Sequence, residues 1–294
     1  MQHEKLPAEN PDNTLKACQE NRHLDTLDKR EYKLVAVDLD DTLLSRDLQV
    51  TGRVRKAVAA VRAAGVYFTV STGRMYKSAV RIAGELGIGI PLITYQGALV
   101  KNSLSGEVLV DRPLPLAYAR EIIARVHQYG YHLNAYLDDR LLMERDDEAG
   151  RRYAAIAGVE AEVVGDLLEY LDRDPTKVIA IAKEPLIDRL KNELDPLYEG
   201  KITVSKSKPY FLEFAHIEAT KGQALAFLAS FFDIKREEIM AVGDSYNDLD
   251  MLEYAGLGVV VGNAREEIKK FADYVTTASY GDGVVEALEK FILV

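Results

Sequence analysis

The chain has 294 residues, 48% of them hydrophobic and 29% charged, enough apolar material to bury a core in one large domain or two smaller ones. A formal charge of −10 argues against a general nucleic-acid binder, which needs basic surface, and makes any anionic substrate depend on a local cation. No apolar stretch approaches membrane-spanning length, no apolar secretory core opens the chain, and the single cysteine, Cys18, excludes an intrachain disulfide, so the cytoplasm is the expected location.

Residues 1–30 are polar, contain Pro7 and Pro11 and lack a sustained hydrophobic period, which predicts a flexible extension. Leu34, Val35, Ala36 and Val37 then form a short apolar run of the kind that suits a buried parallel strand. It stops at Asp38, with Asp40, Asp41 and Thr42 close behind. Open parallel sheets place their ligands beyond the carboxyl ends of the strands, where these acids arrive. The run by itself fits either an acidic turn or a cluster of hard oxygen ligands for Mg²⁺. Thr51 is a candidate N-cap for a helix carrying Val54, Ala57, Val58 and Val61 on one face and ending at Gly65. Val66 to Val70 reads as a second strand, completing a right-handed βαβ unit that brings Ser71-Thr72-Gly73-Arg74 to the same edge as Asp38. Thr72 can offer a hydroxyl to a phosphate oxygen and Gly73 allows close backbone approach, although a plain Ser/Thr/Gly turn has the same composition. A further helix runs from about Met75 to Leu86, stopped by Gly87.

After Leu92 to Tyr95 the texture changes. Leu99 to Lys101 and Val108 to Asp111 read as a hairpin around 102–106. From about 113 to 208 two strong helical patterns, Leu116 to Tyr129 and Pro185 to Tyr198, flank strand candidates at His132 to Tyr136, Leu141 to Glu144 and Lys177 to Ala182, with Lys201 to Ser205 following. This mixture predicts an α+β module inserted into a doubly wound core. Core-like texture returns at 209. Tyr210 to Ala215 is a strand candidate there, and Thr220-Lys221-Gly222 opens a helix, where a lysine is easier to understand if an external anion lies nearby. Ile239 to Val242 is a second apolar strand breaking into carboxylates, Gly243-Asp244-Ser245-Tyr246-Asn247-Asp248, and Gly258 to Val261 is a last one before Gly262-Asn263-Ala264.

Four segments in order, DLDDTLL from Asp38, STGR from Ser71, TKG from Thr220 and GDSYNDLDML from Gly243, resemble the four motifs of the haloacid dehalogenase superfamily. The ending, GVVVGNAREEIKKFADYVT from Gly258 and DGV from Asp282, resembles its Cof-type phosphatases. The similarity runs from about Tyr32 to the C-terminus. Gln96 stands where members often carry Asn, and Val261 where Met is common. The resemblance implies a Rossmann-like α/β core at 31–112 and 209–294, a cap domain inserted at 113–208, and an extension at 1–30.

It also implies the roles. Asp38 is the expected nucleophile and Asp40 the acid and base. Mg²⁺ is expected on Asp38, the backbone carbonyl of Asp40 and Asp244, with Asp248 orienting the metal shell and Lys221. Thr72, Gly73, Lys221 and Asn247 are expected around the phosphate, while Arg74 braces the loop. The implied activity is a cytoplasmic phosphatase for a small phosphorylated metabolite, such as a sugar phosphate, with no nucleic-acid or membrane partner. A phosphomutase, a dehalogenase or a non-catalytic phospho-acceptor on the same fold are the alternatives. Dehalogenation needs neither Asp40 nor a metal. In the inserted module, Tyr136, Asp138, Asp139 and Arg140 are candidates for contact with the leaving group, against a solvated turn.

Overall fold

A computed structural model describes residues 31–293 of the chain. The extension expected at 1–30, with Cys18, lies outside the described residues. The first apolar run forms β1 (Leu34–Val37), buried at every position. Gly52–Ala63 follows as a helix burying Val54, Ala57, Val58 and Val61. Thr51 caps it, its side-chain oxygen accepting from the Val54 amide at 3.3 Å and satisfying one of the donors a helix start leaves open. β2 (Tyr67–Val70) lies parallel to β1. The helix Tyr76–Glu85 ends just before Gly87, whose φ of +65° suits a residue without Cβ. β3 (Pro91–Thr94), β4 (Leu99–Asn102) and β5 (Val108–Asp111) make an antiparallel sheet that touches β2 through a parallel Ser71–Ile93 bridge.

The inserted segment builds its own sheet from β6 (His132–Leu137), β7 (Arg140–Met143), β8 (Ala161–Val163), β9 (Lys177–Ile181), β10 (Ile202–Lys208) and β11 (Phe211–His216), in the order β10-β11-β9-β6-β7-β8. Strand alternation divides its residues. Leu133, Ala135, Val178, Ala180 and Phe214 pack with Ile122, Ile123, Ile187 and Leu190 of the helices Leu116–His127 and Glu184–Tyr198. Tyr136, Ile179, Ile181 and Phe211, on the other face, join the apolar cluster that includes Val35, Val37 and Tyr95 of the first module.

Two differences from expectation shape the inserted module. Tyr210 to Ala215 was expected with the core, but β11 pairs antiparallel with both β10 and β9, so the inserted sheet continues past 208. An apolar run carries no label saying which sheet it will join; the short turn after Lys208 closes a hairpin and settles it. A helix at Glu148–Ala157 was not anticipated. Its inner face carries only Gly150 and Tyr153 as buried residues, too thin a stripe to give a helical period.

β12 (Ile239–Gly243), β13 (Leu257–Val260) and β14 (Tyr274–Val275) complete a parallel sheet in the order β14-β13-β12-β1-β2. Strand order reverses at β1, between β2 and β12, which makes its carboxyl end the topological switch point. Val37 pairs with Val70 on one side and Val242 on the other, so Asp38 emerges level with Ser71 and Gly243.

Candidate active site

A buried lysine sits at the centre of that crevice. Lys221, 1% exposed, begins the helix Lys221–Phe231. Its Nζ donates to Asp38 Oδ1 at 2.5 Å and to Asp248 Oδ1 at 2.6 Å. An external anion was expected beside this lysine, whereas the charges that meet it here are a pair of carboxylates from two other strands' loops. Asp248 is fully buried and fully used: its Oδ2 accepts from the backbone amides of Asp244 and Ser245 at 3.1 and 3.0 Å. Asp244 in turn accepts from Thr42 Oγ1 at 2.8 Å.

Electrostatics follow from the crowding. Burial and the neighbouring carboxylates of Asp248 and Asp244 push Asp38 well above the usual carboxylate range, against the pull of Lys221. Asp244 is pushed up to about 6 by burial, with Asp248 and Asp41 adding to it and the Thr42 hydroxyl opposing. Burial draws the Lys221 ammonium down, but Asp248 and Asp38 outweigh it and raise its pKa. One cation thus serves three acids, an arrangement short of positive charge.

The donor set fits a hard divalent ion. Asp38, Asp244 and Asp248 each offer an oxygen within 4.8 Å of the others. Hydrogen bonds narrow the choice: both oxygens of Asp248 are already engaged, whereas among the described residues Asp38 and Asp244 each keep one carboxylate oxygen that accepts no hydrogen bond. Asp38 and Asp244 are accordingly the residues able to hold the ion, and Asp248 the residue that fixes the Asp244 loop and Lys221.

Around this cluster stand the remaining expected residues. Thr72 is buried, and its Oγ1 accepts from the Arg74 amide at 3.2 Å, leaving the hydroxyl proton for another acceptor. Arg74 grips Asp40 with both arms, Nε to Oδ2 at 2.8 Å and Nη2 to Oδ1 at 2.5 Å. Asp40 remains partly exposed and makes no hydrogen bond to the Lys221 cluster. Asp41 sits in a turn at φ +61°, its carbonyl accepting from Asn263 Nδ2 at 2.7 Å. Asn247 is exposed and donates to Gln96 Oε1 at 3.0 Å, so the second and fourth motifs meet through Gln96. In the inserted module, Asp139 accepts from Tyr95 Oη and from the Lys77 amide, both at 2.8 Å, tying the β6–β7 turn to the first module. Asp138 and Arg140 instead form surface ion pairs with Arg173 and Glu162.

Comparison with known proteins decides the family. A profile described as haloacid dehalogenase-like hydrolase matches residues 35–288. The chain belongs to that family. Among relatives of this hydrolase, Bacillus subtilis phosphatase YwpJ is 29% identical over 285 residues, covering 88% of this chain and 100% of that protein. The 5-amino-6-(5-phospho-D-ribitylamino)uracil phosphatase YitU of the same organism is 28% identical, covering 88% and 97%. The crystal structure of TM0651 from Thermotoga maritima superposes with a TM-score of 0.80 at 33% identity, covering 88% and 97%. Both Bacillus subtilis relatives are named phosphatases, and the expected superfamily and α/β fold are those observed.

Around the cluster of this hydrolase, the groups that sequence reasoning passed over are supports. Thr42 was seen but given no task, though it holds Asp244. Asn263 ties the first motif to the last strand's loop, accepting from the Tyr280 amide at 2.7 Å while donating to Asp41; its place just after an apolar strand was the available signal. Gly97 was unremarked. Its φ is +96°, and a Cβ there would lie 2.1 Å from the carbonyl oxygen of Thr220, the residue before Lys221. Gly97→Ala is therefore expected to displace the start of the lysine helix and to cost about 2–4 kcal/mol of stability. Chemical denaturation measures the stability, and the rate of phosphate release reports whether Lys221 has moved.

Proposed function

We propose that this hydrolase is a Mg²⁺-dependent phosphatase acting on a small phosphorylated metabolite, a sugar or polyol phosphate, through a phosphoryl group carried on Asp38. The observation that carries the reading is the buried Asp38–Lys221–Asp248 chain with Asp244 beside it at the switch point of the sheet. A nucleophilic carboxylate needs a water-poor setting with positive charge to meet a phosphate dianion; Lys221 supplies part of that charge, and the acids left short of it call for a cation to supply the rest. Asp38 attacks phosphorus in line with the leaving oxygen, Asp40 protonates that oxygen, and Asp40 then takes a proton from the water that releases phosphate. Lys221 and Thr72 hold the non-bridging oxygens, with the Gly73 backbone and Asn247 beside them, and Arg74 fixes the position of Asp40. Asp38, the Asp40 carbonyl and Asp244 would hold Mg²⁺, which would supply positive charge where the two anions meet.

The inserted module acts as a cap that excludes water and reads the leaving group. The name of the relative YitU, a phosphatase for a phosphorylated ribityl chain, supports a polyhydroxylated leaving group. Asp40 and the complete acidic cluster favour phosphate chemistry over dehalogenation, and the reading places the enzyme in the cytoplasm. Among the described residues no helix is long and apolar enough to cross a membrane. Assaying phosphate release from a panel of phosphorylated metabolites, with Mg²⁺ and with excess chelator, tests the proposal. Release that needs the ion supports it, and equal release in chelator contradicts it.

The pH dependence has a definite sign. A ligand raised to about 6 must lose its proton before it binds a cation, and Asp38 is raised as well, so the Mg²⁺ concentration giving half-maximal rate is expected to climb at least about tenfold per pH unit below 6. In the metal-free protein the same shift adds stability fully present below about pH 4 and lost as pH rises through 6. Magnesium titrations between pH 5 and about 8 check the first statement, and thermal melts in chelator check the second.

A further inference from the structure

The inserted sheet carries a buried ion pair that the reaction above leaves unused. Lys177 on β9 and Glu213 on β11 are 5% and 8% exposed, and Lys177 Nζ donates to Glu213 Oε2 at 2.7 Å. Tyr136 stands directly across from Lys177 on β6, so the three side chains run over the central strands on the face turned to the first module. There they meet Tyr95. The Lys177 ammonium lies 5.3 Å from the Tyr136 ring centroid and 6.0 Å from that of Tyr95, and the two rings pack edge to face at 5.3 Å.

Stability does not account for the pair. Replacing a buried ion pair with apolar side chains of like volume is often neutral or stabilising, because desolvation cancels the attraction. Neither group is saturated: among the described residues Lys177 makes one hydrogen bond of a possible three, and Glu213 Oε1 makes none. The meeting point with the core is also strained. Tyr95 and Gln96 occupy successive left-handed conformations, φ +51° and +59°, which non-glycine residues adopt at a cost and which cluster at ligand sites. That strain holds Tyr95 under the inserted sheet while Gln96 turns to the catalytic loops, bonding Asn247 and lying against Gly73.

We infer that Lys177 and Glu213, with Tyr136 and Tyr95 as walls, form the leaving-group subsite, and that the leaving group is a polyhydroxylated alcohol. A carboxylate accepts from two neighbouring hydroxyls and an ammonium donates to a third, while tyrosine faces cover the C–H surface of a sugar or polyol. The inference rests on the phosphatase reading and assigns recognition of its sugar or polyol leaving group to these four side chains. It also moves recognition away from the β6–β7 turn, where Asp139 is committed to Tyr95 and the Lys77 amide.

The test uses the full chain with Mg²⁺ and two kinds of ester, polyol and sugar phosphates such as sorbitol 6-phosphate, and n-butyl phosphate, which has no hydroxyl. The readout is the ratio of kcat/KM between the two kinds. Glu213→Gln and Lys177→Met are each expected to lower that ratio about 30-fold, chiefly through KM for the polyol ester. The double variant Lys177→Met with Glu213→Leu removes both charges together and keeps the test open if a single variant fails to fold. A purely structural pair changes both rates alike, so a ratio within about two-fold of the parent overturns the inference, whatever happens to thermal stability. A parent enzyme that does not prefer the hydroxylated esters overturns it as well. A parent that hydrolyses no ester with Mg²⁺ contradicts the phosphatase reading itself, an outcome distinct from either.

Discussion

Asp38→Asn is expected to lower kcat by about 10⁴-fold or more while leaving the protein folded. The amide keeps an oxygen where Asp38 Oδ1 accepts from Lys221 at 2.5 Å, so the packing of the crevice survives. What disappears is the oxygen nucleophile. Burial and the carboxylates of Asp248 and Asp244 already disfavour a charge at this position, so the metal-free variant should melt at the parent's temperature or above it. Rate and melting temperature measured on one preparation separate loss of chemistry from loss of structure. Turnover near the parent rate would remove Asp38 from the mechanism.

Lys221→Met should damage both properties at once. The lysine is the partner of two buried acids, and breaking such a network from the cationic side strands the charges it compensated. The expected loss is roughly 3–5 kcal/mol of stability at neutral pH. It should shrink as pH falls, because protonating Asp38 removes one of the stranded charges. A surviving folded fraction should show kcat down about 10²–10³-fold, the usual effect of deleting one transition-state charge contact. Denaturation curves at two pH values and single-turnover rates measure both effects. A variant as stable as the parent at neutral pH would mean that Lys221 carries no structural charge.

These two residues were legible in the sequence because their signals are local. An apolar strand that breaks into acids, as at Val37-Asp38 and Val242-Gly243-Asp244, reports position and chemistry together. Lys221 was visible as a cation at a helix start, but its partners were not, since Asp38 and Asp248 lie 183 and 27 residues away and pair with it only through the sheet register. Arg74 was placed correctly as a brace, whereas its two-pronged hold on Asp40 depends on β1 and β2 being neighbours. β11 was misplaced because its apolar pattern satisfies either sheet. Gly97 and the Lys177–Glu213 pair left no local trace. The first matters because a carbonyl from a distant loop passes close by, and the second because two strands of unrelated spacing put opposite charges on one face.

The central claim, a phosphoryl group passing through Asp38, is tested most directly by stopping the reaction midway. Asp40→Asn retains the nucleophile, the lysine and the Asp244 ligand but lacks the base that activates water, so the phosphorylated protein should accumulate. Acid quenching during turnover of a reactive aryl phosphate with Mg²⁺, followed by peptide mass spectrometry, should show one phosphoryl adduct on the peptide containing Asp38. The adduct should be removed by hydroxylamine, as an acyl phosphate requires, and be absent when Asp38 is also changed to Asn. Phosphate release from Asp40→Asn with no adduct on Asp38 at any quench time, or with the adduct on another residue, would contradict the account.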